Sequence, residues 1–573
     1  MSESFERTLI RLRELANEFA AHNPTLAPYL GTQAASDPDV ERLFEGVAYL
    51  TSLVERRLDD DFPEFIQTLA HLLFPQVLQP MPCATMVRFE PKGVLGAVAQ
   101  VDAGVQLASI PVDGTRVLFR TTRALSVEPI TLLGVRWEMN DGVPHALRLD
   151  FSIDGVAPNE WTANRVLFHL SGSLSEASRL MLLLARHVKQ VQIGGSSGES
   201  VSLPPRVVSL PAFCAEASLL PQPANALPGL SLMRDYFALP ERFLFVAVDG
   251  LRRWRERAED GRFYIRFVLG EVPDWAHTMH EPSVMLNVTP AINLFEAQAH
   301  PVALDDLHAE YLVHVASAQA QRQTTLFCVE DVRGYANGKE VVFAPFGTFC
   351  ADRPSYHVRL RPSVVPGRHD GYLGFPSVQD ISGLASQGMN LSVSALCTHG
   401  TLAESLRTGE LNQASDSSPA RMTFSNISAM TPYRAPTLDD TLLWRLLSHM
   451  HGGYARMGDA AQFKQLLRLH MPTSRGGSIE AAQRRMIDAI ERVELRPACR
   501  LMRGLPVEGT EMHITCRSDA FVHLGGMFLF GSVIDEYLAG SCALNTFTEL
   551  TMTDSVHGQS LYWPPKIGHQ RLL

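Results

Sequence analysis

The chain has 573 residues, of which 46% are hydrophobic and 19% charged, and a net charge of -11. That apolar content excludes a disordered chain and suits roughly three or four folded domains, while the acidic balance excludes a nucleic-acid binder built on clustered Lys and Arg. Cys83, Cys214, Cys328, Cys350, Cys397, Cys499, Cys516 and Cys542 are scattered with no C-x-x-C pair, which excludes a closely spaced zinc site or a disulfide scaffold and reads as reduced, mostly buried thiols.

The first 75 or so residues carry three helical stripes. Phe5, Leu9, Leu12, Ala16 and Phe19 recur at alternating four- and three-residue steps, a heptad-like seam. Asn23-Pro24 ends it, because the residue before a proline is pushed out of the helical region. Asp37-Pro38 starts a second helix with Val40, Leu43, Phe44, Val47, Leu50 and Val54 on its apolar face. A third begins near Asp61-Phe62-Pro63 and shows Phe62, Phe65, Ile66, Leu69, Leu72 and Leu73. Short polar joins make residues 1–78 an expected N-terminal helical bundle. The seam has two readings: packing inside that bundle, or packing against a partner chain. On the second, the candidate partner-binding residues are Phe5, Leu9, Leu12, Leu15, Ala16 and Phe19.

From Pro80-Met81-Pro82, an expected hinge, the period changes to that of strands. Residues 79–225 are expected to form a β-rich domain with one helix. Its strands are Thr85 to Phe89, Arg116 to Thr121, Ala146 to Ile153 and Arg165 to Ser171, with turns at Asp113-Gly114 and Asn140-Asp141-Gly142, and its helix spans about Glu176 to Lys189. The proline-rich stretch from Pro204 to Pro228 suggests a boundary. Residues 226–432 are expected to form a second β-rich domain, with strands at Phe243 to Val248, Phe263 to Leu269, Val284 to Val288, Tyr311 to Val315 and Tyr356 to Leu360, and a polar loop from Ser405 to Pro419.

Residues 433–573 are expected to form a mixed α/β domain. Helices are expected at Leu438 to His451, Asp459 to His470 and Ile479 to Val493, then a strand near Glu511 to Cys516 and an apolar helix from Leu524 to Leu538. A strand near Phe547 to Thr553 and an extended tail at Trp563-Pro564-Pro565-Lys566 close the chain. The fold class is therefore α+β, with an N-terminal bundle, a large middle region of antiparallel sheets and a C-terminal α/β domain. The start lacks a basic stretch followed by an apolar run, and Leu524 to Ile534 is about half the length needed to cross a bilayer. The expectation is a protein neither exported nor membrane-spanning.

Motifs with chemistry are few. Gly194-Gly195-Ser196-Ser197-Gly198 matches G-x-S-x-G, but the nucleophile elbow needs a helix after the serine, and Pro204-Pro205 follow closely. His449 and His451 have the wrong helical spacing for one metal, and His277 and His280 lack a third ligand. Asp59, Asp60 and Asp61 suit a helix start, where negative charge is favoured. Arg252-Arg253-Trp254-Arg255 is flanked by Glu256, Glu259 and Asp260 and reads as a self-neutralised surface. With no Walker or G-x-G-x-x-G sequence, no cofactor, no metal and no catalytic residue are expected. A hydrolase with a Ser/His/Asp site assembled in space stays open, as does a β-sandwich module binding a ligand such as carbohydrate.

A series of segments in order along the chain resembles the TssF family, also called ImpG or VasA. They are residues 12–20, 37–43, 57–64, Leu73-Phe74-Pro75, Gln79-Pro80-Met81-Pro82, 109–115, Phe119-Arg120-Thr121-Thr122, 287–296, 443–449, Leu529-Phe530-Gly531-Ser532-Val533, 545–550 and Trp563-Pro564-Pro565-Lys566. The resemblance implies a non-enzymatic scaffold of the type VI secretion baseplate, akin to a contractile phage tail baseplate. It implies two copies bound to one TssG, joined to TssK, with TssE and VgrG among further partners around the spike hub. It also implies work in the bacterial cytoplasm, docked at the inner-membrane complex through the assembled baseplate.

Overall fold

The computed structural model describes residues 67–71, 75–195, 200–214, 217–222, 228–255, 260–279, 281–305, 308–315, 324–336, 338–347, 353–365, 368–376, 388–436, 438, 458–471, 477–502 and 504–568, with 9–10, 42–43 and 45–49 nearer the start. The chain divides into two units, Met1–His71 with Asp439–Trp444, and Leu72–Leu438 with Arg445–Leu573. In the first, residues 9–10, 42–43, 45–49 and 67–70 are helical. The rest of the expected 1–78 bundle lies outside the described residues, apart from 71 and 75–78, as does the helix expected at Leu438 to His451, apart from Leu438 itself.

The second unit is built on five larger sheets. In the first, the strand order is Gln413–Ala414, Gln106–Val112, Thr115–Thr121, Val288–Ile292, Ala84–Pro91 and Met422–Asn426. Its hairpin at 112–115 turns through Asp113 at φ 47° and Gly114 at φ 79°, the two left-handed positions that a tight hairpin requires. Two further sheets face each other. One orders Ser200–Leu203, Val188–Gly195, Arg262–Leu269, Val143–Ile153 and Ile130–Asn140; the other orders Val208–Ser209, Phe245–Asp249, Arg165–Ser171 and Ser283–Met285. Between them Phe168 meets Phe267 edge-on at 6.2 Å, while within the first of the two Phe151 stacks on its strand neighbour Phe263 at 5.0 Å. A separate eight-stranded sheet is drawn from residues 295–398 around Leu326, Val332, Phe343, Leu373 and Leu391.

Five helices carry the argument below. Helix α1, Leu174–Arg186, starts where Ser173 caps the Glu176 N–H. Helix α2 is Pro228–Ala238, α3 is Ala460–His470 with Asp459 as its cap, and α4 is Ser478–Asp488. Helix α5, Leu524–Ser541, is apolar almost all round, which marks a helix packed on every side. It connects the two parallel strands, Leu505–Cys516 and Phe547–Asp554, of the last sheet. That sheet orders Ile490–Met502, Leu505–Cys516, Phe547–Asp554 and Ser560–Ile567. Phe528, Phe530, Val533 and Leu538 of α5 share one continuous core with Phe168 and Phe263 of the facing sheets and with Met512 and Ile514 of the last.

The expected strands at Arg165 to Ser171 and Phe263 to Leu269 form, the second from Arg262. Strand pairing runs across the expected join at 225. Val208–Ser209 pairs with Phe245–Asp249, and Met422–Asn426 pairs with Ala84–Pro91. The Pro204 to Pro228 stretch holds two tight turns, Pro205–Val207 and Pro211–Phe213, inside the paired sheets. Two helical expectations need correction. Helix α1 stops at Arg186, and the residues beyond enter the strand Val188–Gly195. Helix α4 stops at Asp488, because from Val493 and Leu495 the apolar residues alternate and the chain becomes the strand Ile490–Met502.

Just before α5, Val522 sits at φ 67°, ψ -46°, half-turned into a region that a β-branched residue enters only under strain. Its side chain is exposed, so a glycine there loses no packing. Val522→Gly is expected to raise stability by about 1 kcal/mol, seen as a higher urea midpoint; an unchanged or lower midpoint refutes the strain.

Candidate interaction surface

Of the six seam residues, Leu9 is described; it is helical and buried. Phe5, Leu12, Leu15, Ala16 and Phe19 lie outside the described residues, as do Asp59 to Asp61, His280, His449 and His451. On the second expected helix, Ala48 is buried, whereas Leu43 is 65% and Val47 39% exposed. The side of this helix turned inward is that of a small alanine, and two of its expected core leucine and valine positions face outward.

The segments quoted above for their resemblance are structural pins. Asn293 is fully buried. Its side-chain oxygen accepts the Thr398 hydroxyl at 2.7 Å and the His399 N–H at 2.8 Å. Its amide donates to the Leu118 carbonyl at 2.6 Å and meets His399 Nδ1 at 3.1 Å, while its own N–H donates to the Cys83 carbonyl at 2.8 Å. The side chain thus ties together chain segments near 118 and 398, and the backbone N–H adds the segment near 83. At the expected hinge, the N–H groups of Met81 and Arg434 donate to each other's carbonyls at 2.9 Å. Arg234 of α2 donates to the carbonyls of Gln76 and, at 2.9 Å, Gln79.

Neighbouring Asp235 is buried against Arg242 and accepts from the Ser218 hydroxyl and the Leu219 N–H, each at 3.0 Å. In the tail, Trp563 stacks on Phe528 at 5.7 Å and donates to Ser532 Oγ at 3.1 Å. Lys566 pairs with Asp535 at 2.7 Å and Glu536 at 2.5 Å. Burial pushes the Asp535 carboxyl up to about 6 against the pull of Lys566.

Three histidines are built in neutral. Burial holds His169 and His399 down to about 4 and His470, beside the Arg234 charge, to about 3. Their stability contribution is complete above pH 6.5 and is lost as pH falls toward 4, because the unfolded chain takes up protons that the folded chain refuses. Each costs about 2 kcal/mol at pH 5, and Asp535, protonating first in the folded state, returns about 1 kcal/mol over the same window. Stability is expected to fall by a few kcal/mol between pH 6.5 and 4.5. In urea titrations across that range, His470→Leu should flatten the slope by about one proton; an identical slope would remove His470 from the account.

The geometry speaks against catalysis at the places the sequence offered. Gly194 and Gly195 end one strand, and Ser200–Leu203, which pairs back on it, is a strand where the elbow calls for a helix; Ser196 and Ser197 lie outside the described residues. His277 lies in a short 3-10 turn. Among the described residues no group of three His, Cys, Asp or Glu side chains could hold a metal ion. Ser518, His557 and Asp554 do meet, but Ser518 Oγ at 3.2 Å and Asp554 Oδ2 at 2.7 Å compete for the same nitrogen, Nδ1. A relay needs one partner on each ring nitrogen. Burial works against ionising Asp554, yet bonds from Ser518, the Val556 N–H and His557 outweigh it and hold the carboxyl at about 2, the signature of a turn cap. A shallow cavity of about 790 Å3 lies between the start of α3 and Arg492 to Arg496, with no aromatic lining for a sugar. Arg252 and Arg253 are exposed as expected, while Trp254 beside them is core and packs on Phe263.

Sequence reasoning missed one feature that is surface and not core. The hairpin of Ile490–Met502 and Leu505–Cys516 pairs along its whole length, but the neighbouring strand Phe547–Asp554 joins only from Gly509 inward. Its outer part has no buried residue from Arg496 to Met502 or from Gly504 to Thr510, and Leu501 and Leu505 are 77% and 68% exposed. The signal was there in Gly504, a turn-forming glycine between two strand-like runs.

Among the described residues no helix is long and apolar enough to cross a membrane. Residues 1–570 match the family model described as type VI secretion system, TssF. Among characterised relatives, the type VI secretion system component TssF1 of Pseudomonas aeruginosa is 27% identical over 615 aligned positions, covering 99% of this chain and 98% of that one. The fold is shared with a chain of the type VI secretion system TssK-TssF-TssG baseplate subcomplex solved by cryo-electron microscopy. There the TM-score is 0.78 at 24% identity, over 93% of this chain and 99% of that one. It is also shared with a chain of the type VI secretion baseplate complex, at a TM-score of 0.64 and 21% identity, over 100% of this chain and 99% of that one.

Proposed function

Because the chain belongs to the TssF family of the type VI secretion system, we propose that it is a structural subunit of a baseplate wedge, holding partner proteins in place and catalysing no reaction. The observation that carries this reading is the family match over residues 1–570 together with a fold shared with a chain of a TssK-TssF-TssG subcomplex. The partners are a TssG protein, a TssK protein and a second copy of this chain, with TssE and VgrG proteins further round the spike hub. It works in the bacterial cytoplasm, docked at the inner-membrane complex through the assembled baseplate. Residues 1–78 act as an inter-subunit helical bundle, with Phe5, Leu9, Leu12, Leu15, Ala16 and Phe19 on its seam. The outward-facing Leu43 and Val47 support an apolar surface awaiting cover. The folded body of 79–225, 226–432 and 433–573 supplies rigid docking faces.

The test is co-expression with the TssG and TssK proteins of the same bacterium and mass measurement of the purified assembly. Two copies of this chain per TssG are expected. A soluble monomer indifferent to TssG overturns the reading.

A further inference from the structure

The strand Ser560–Ile567 lies on the outer edge of the last sheet and pairs with Phe547–Asp554. Its base is fixed, because Asp554 accepts from the N–H groups of Ser518, Val556 and His557 at 3.0, 3.0 and 3.1 Å and so shapes the turn into the strand. Its far end is held differently. The register shifts at Pro564-Pro565, which have no N–H to give, so past Trp563 side chains carry most of the hold. Trp563 fills a socket on α5 that exists because residue 531 is glycine; a Cβ there would strike the indole. Arg186 of α1 donates to the Tyr562 carbonyl at 2.5 Å. Lys566 lands on Asp535 and Glu536, the only two charged residues of α5. Asp535 is 1% exposed on a helix that is otherwise apolar, and its Oδ1 has no hydrogen-bond partner. The other elements packed on α5 turn their charges elsewhere. In α1 Arg179 bonds Thr278, and in α2 Arg234 reaches the Gln76 and Gln79 carbonyls while Asp235 pairs with Arg242. Glu549 pairs with Arg500, Asp519 with Arg517, and His470 of α3 packs on Tyr537. Burial outweighs the Lys566 and Arg186 charges and holds the Asp535 carboxyl at about 6, whereas an aspartate open to water sits near 3.9. Seating the strand over it therefore takes up a proton.

We propose that Ser560–Ile567 is a strap that lifts from its Lys566 end while its turn stays fixed, with Asp535 as the catch: the strap seats on the neutral carboxyl and loosens over the charged one. Lifting uncovers the Trp563 socket on α5 and the outer edge of Phe547–Asp554. The sign follows from linkage, since a carboxyl whose pKa rises on seating favours the seated state at low pH and loses that contribution as pH climbs through the seated value. With about 6 seated and about 3.9 lifted, the seating constant should grow about tenfold from pH 7.5 to pH 5. The test is hydrogen exchange on the full chain at those two pH values, corrected for intrinsic rates, reading residues 561–567 against the strand Leu505–Cys516. In Asp535→Asn the side chain cannot ionise, so protection of the strap at pH 7.5 should stand at least about tenfold above wild type and stay flat on acidification. His557, on the fixed turn, is the same in both chains and cancels. Lys566→Gln removes the charge that favours the ionised catch, so strap protection should drop at pH 7.5 and rise more steeply toward pH 5. Wild-type protection that is flat or falls on acidification overturns the catch, as does an unchanged slope in either variant. Strap amides that exchange no faster than Leu505–Cys516 in all three chains overturn the strap itself.

Discussion

Asn293→Ala is expected to destabilise the folded chain by about 3–5 kcal/mol, since it strands several buried groups at once. The Thr398 hydroxyl and the His399 N–H lose their acceptor, and the Leu118 carbonyl loses its donor. Each buried orphan costs about 1–3 kcal/mol, more than the bond itself is worth, because no water replaces the lost partner. The segments that the Asn293 side chain joins, at Leu118 and His399, lie 281 residues apart, so the loss falls on long-range closure and not on a local turn. Asn293→Asp keeps the shape and the acceptor but faces the Leu118 carbonyl with a carboxylate, so it should cost nearly as much above neutral pH. The measurement is the urea midpoint at constant slope, with Thr423→Ala as an exposed strand control in the same sheet. A shift in Asn293→Ala no larger than that of the control would mean that the hub is dispensable.

Asn293 also shows what the sequence could and could not disclose. Alternation made Arg165 to Ser171 a strand and Asp113-Gly114 a turn, and both are so, because strand period and left-handed turn positions are written in neighbouring residues. The apolar length of α5 likewise declared a buried helix. Pairing is not local. Val288–Ile292 lies between Thr115–Thr121 and Ala84–Pro91, and nothing within either run names the other. Asn293 sits at the end of an apolar run, where a polar residue requires partners without saying which. The hairpin of Ile490–Met502 and Leu505–Cys516 was missed for a different reason. Ile490 and Val493 are three apart, a helical step, so the helix from Ile479 was carried past Asp488, and Pro497 hid the strand that follows. The candidate seam of residues 5–19 was legible as a pattern, yet a heptad repeat is the same whether the opposing helix belongs to this chain or another.

The polar pins and α5 divide the work of rigidity in the second unit. Asn293, Arg234 and Lys566 each fix one place where distant chain segments meet, whereas α5 joins the core of the facing sheets to that of the last sheet. A scaffold that transmits position from one partner to another needs that join to be stiff. Its stiffness rests on how closely other helices approach α5, and two glycines set that distance.

Gly525→Val should be the most damaging single change in α5, costing more than about 3 kcal/mol. A Cβ at Gly525 would lie 2.5 Å from the Arg179 nitrogen and 2.6 Å from the Ser178 carbonyl carbon, both backbone of α1. Backbone cannot rotate aside as a side chain can, so the helices must part. At the other end, a Cβ at Gly229 of α2 would lie 2.8 Å from the Tyr537 carbonyl oxygen and 2.9 Å from the Tyr537 Cα, again backbone. Helix propensity alone predicts the opposite sign, since alanine in place of a helical glycine gains about 1 kcal/mol. Gly525→Ala therefore decides between the two effects: a loss of stability shows that close approach wins, and a gain would refute it. Gly477→Ala, where a Cβ meets nothing within 4 Å, supplies the control and should stay within about 0.5 kcal/mol. Because α5 touches both cores, Gly525→Val should broaden or split the unfolding transition as the facing sheets and the last sheet come apart separately. Hydrogen exchange would locate the early opening in residues 505–567, with the sheet holding Asn293's neighbours still protected.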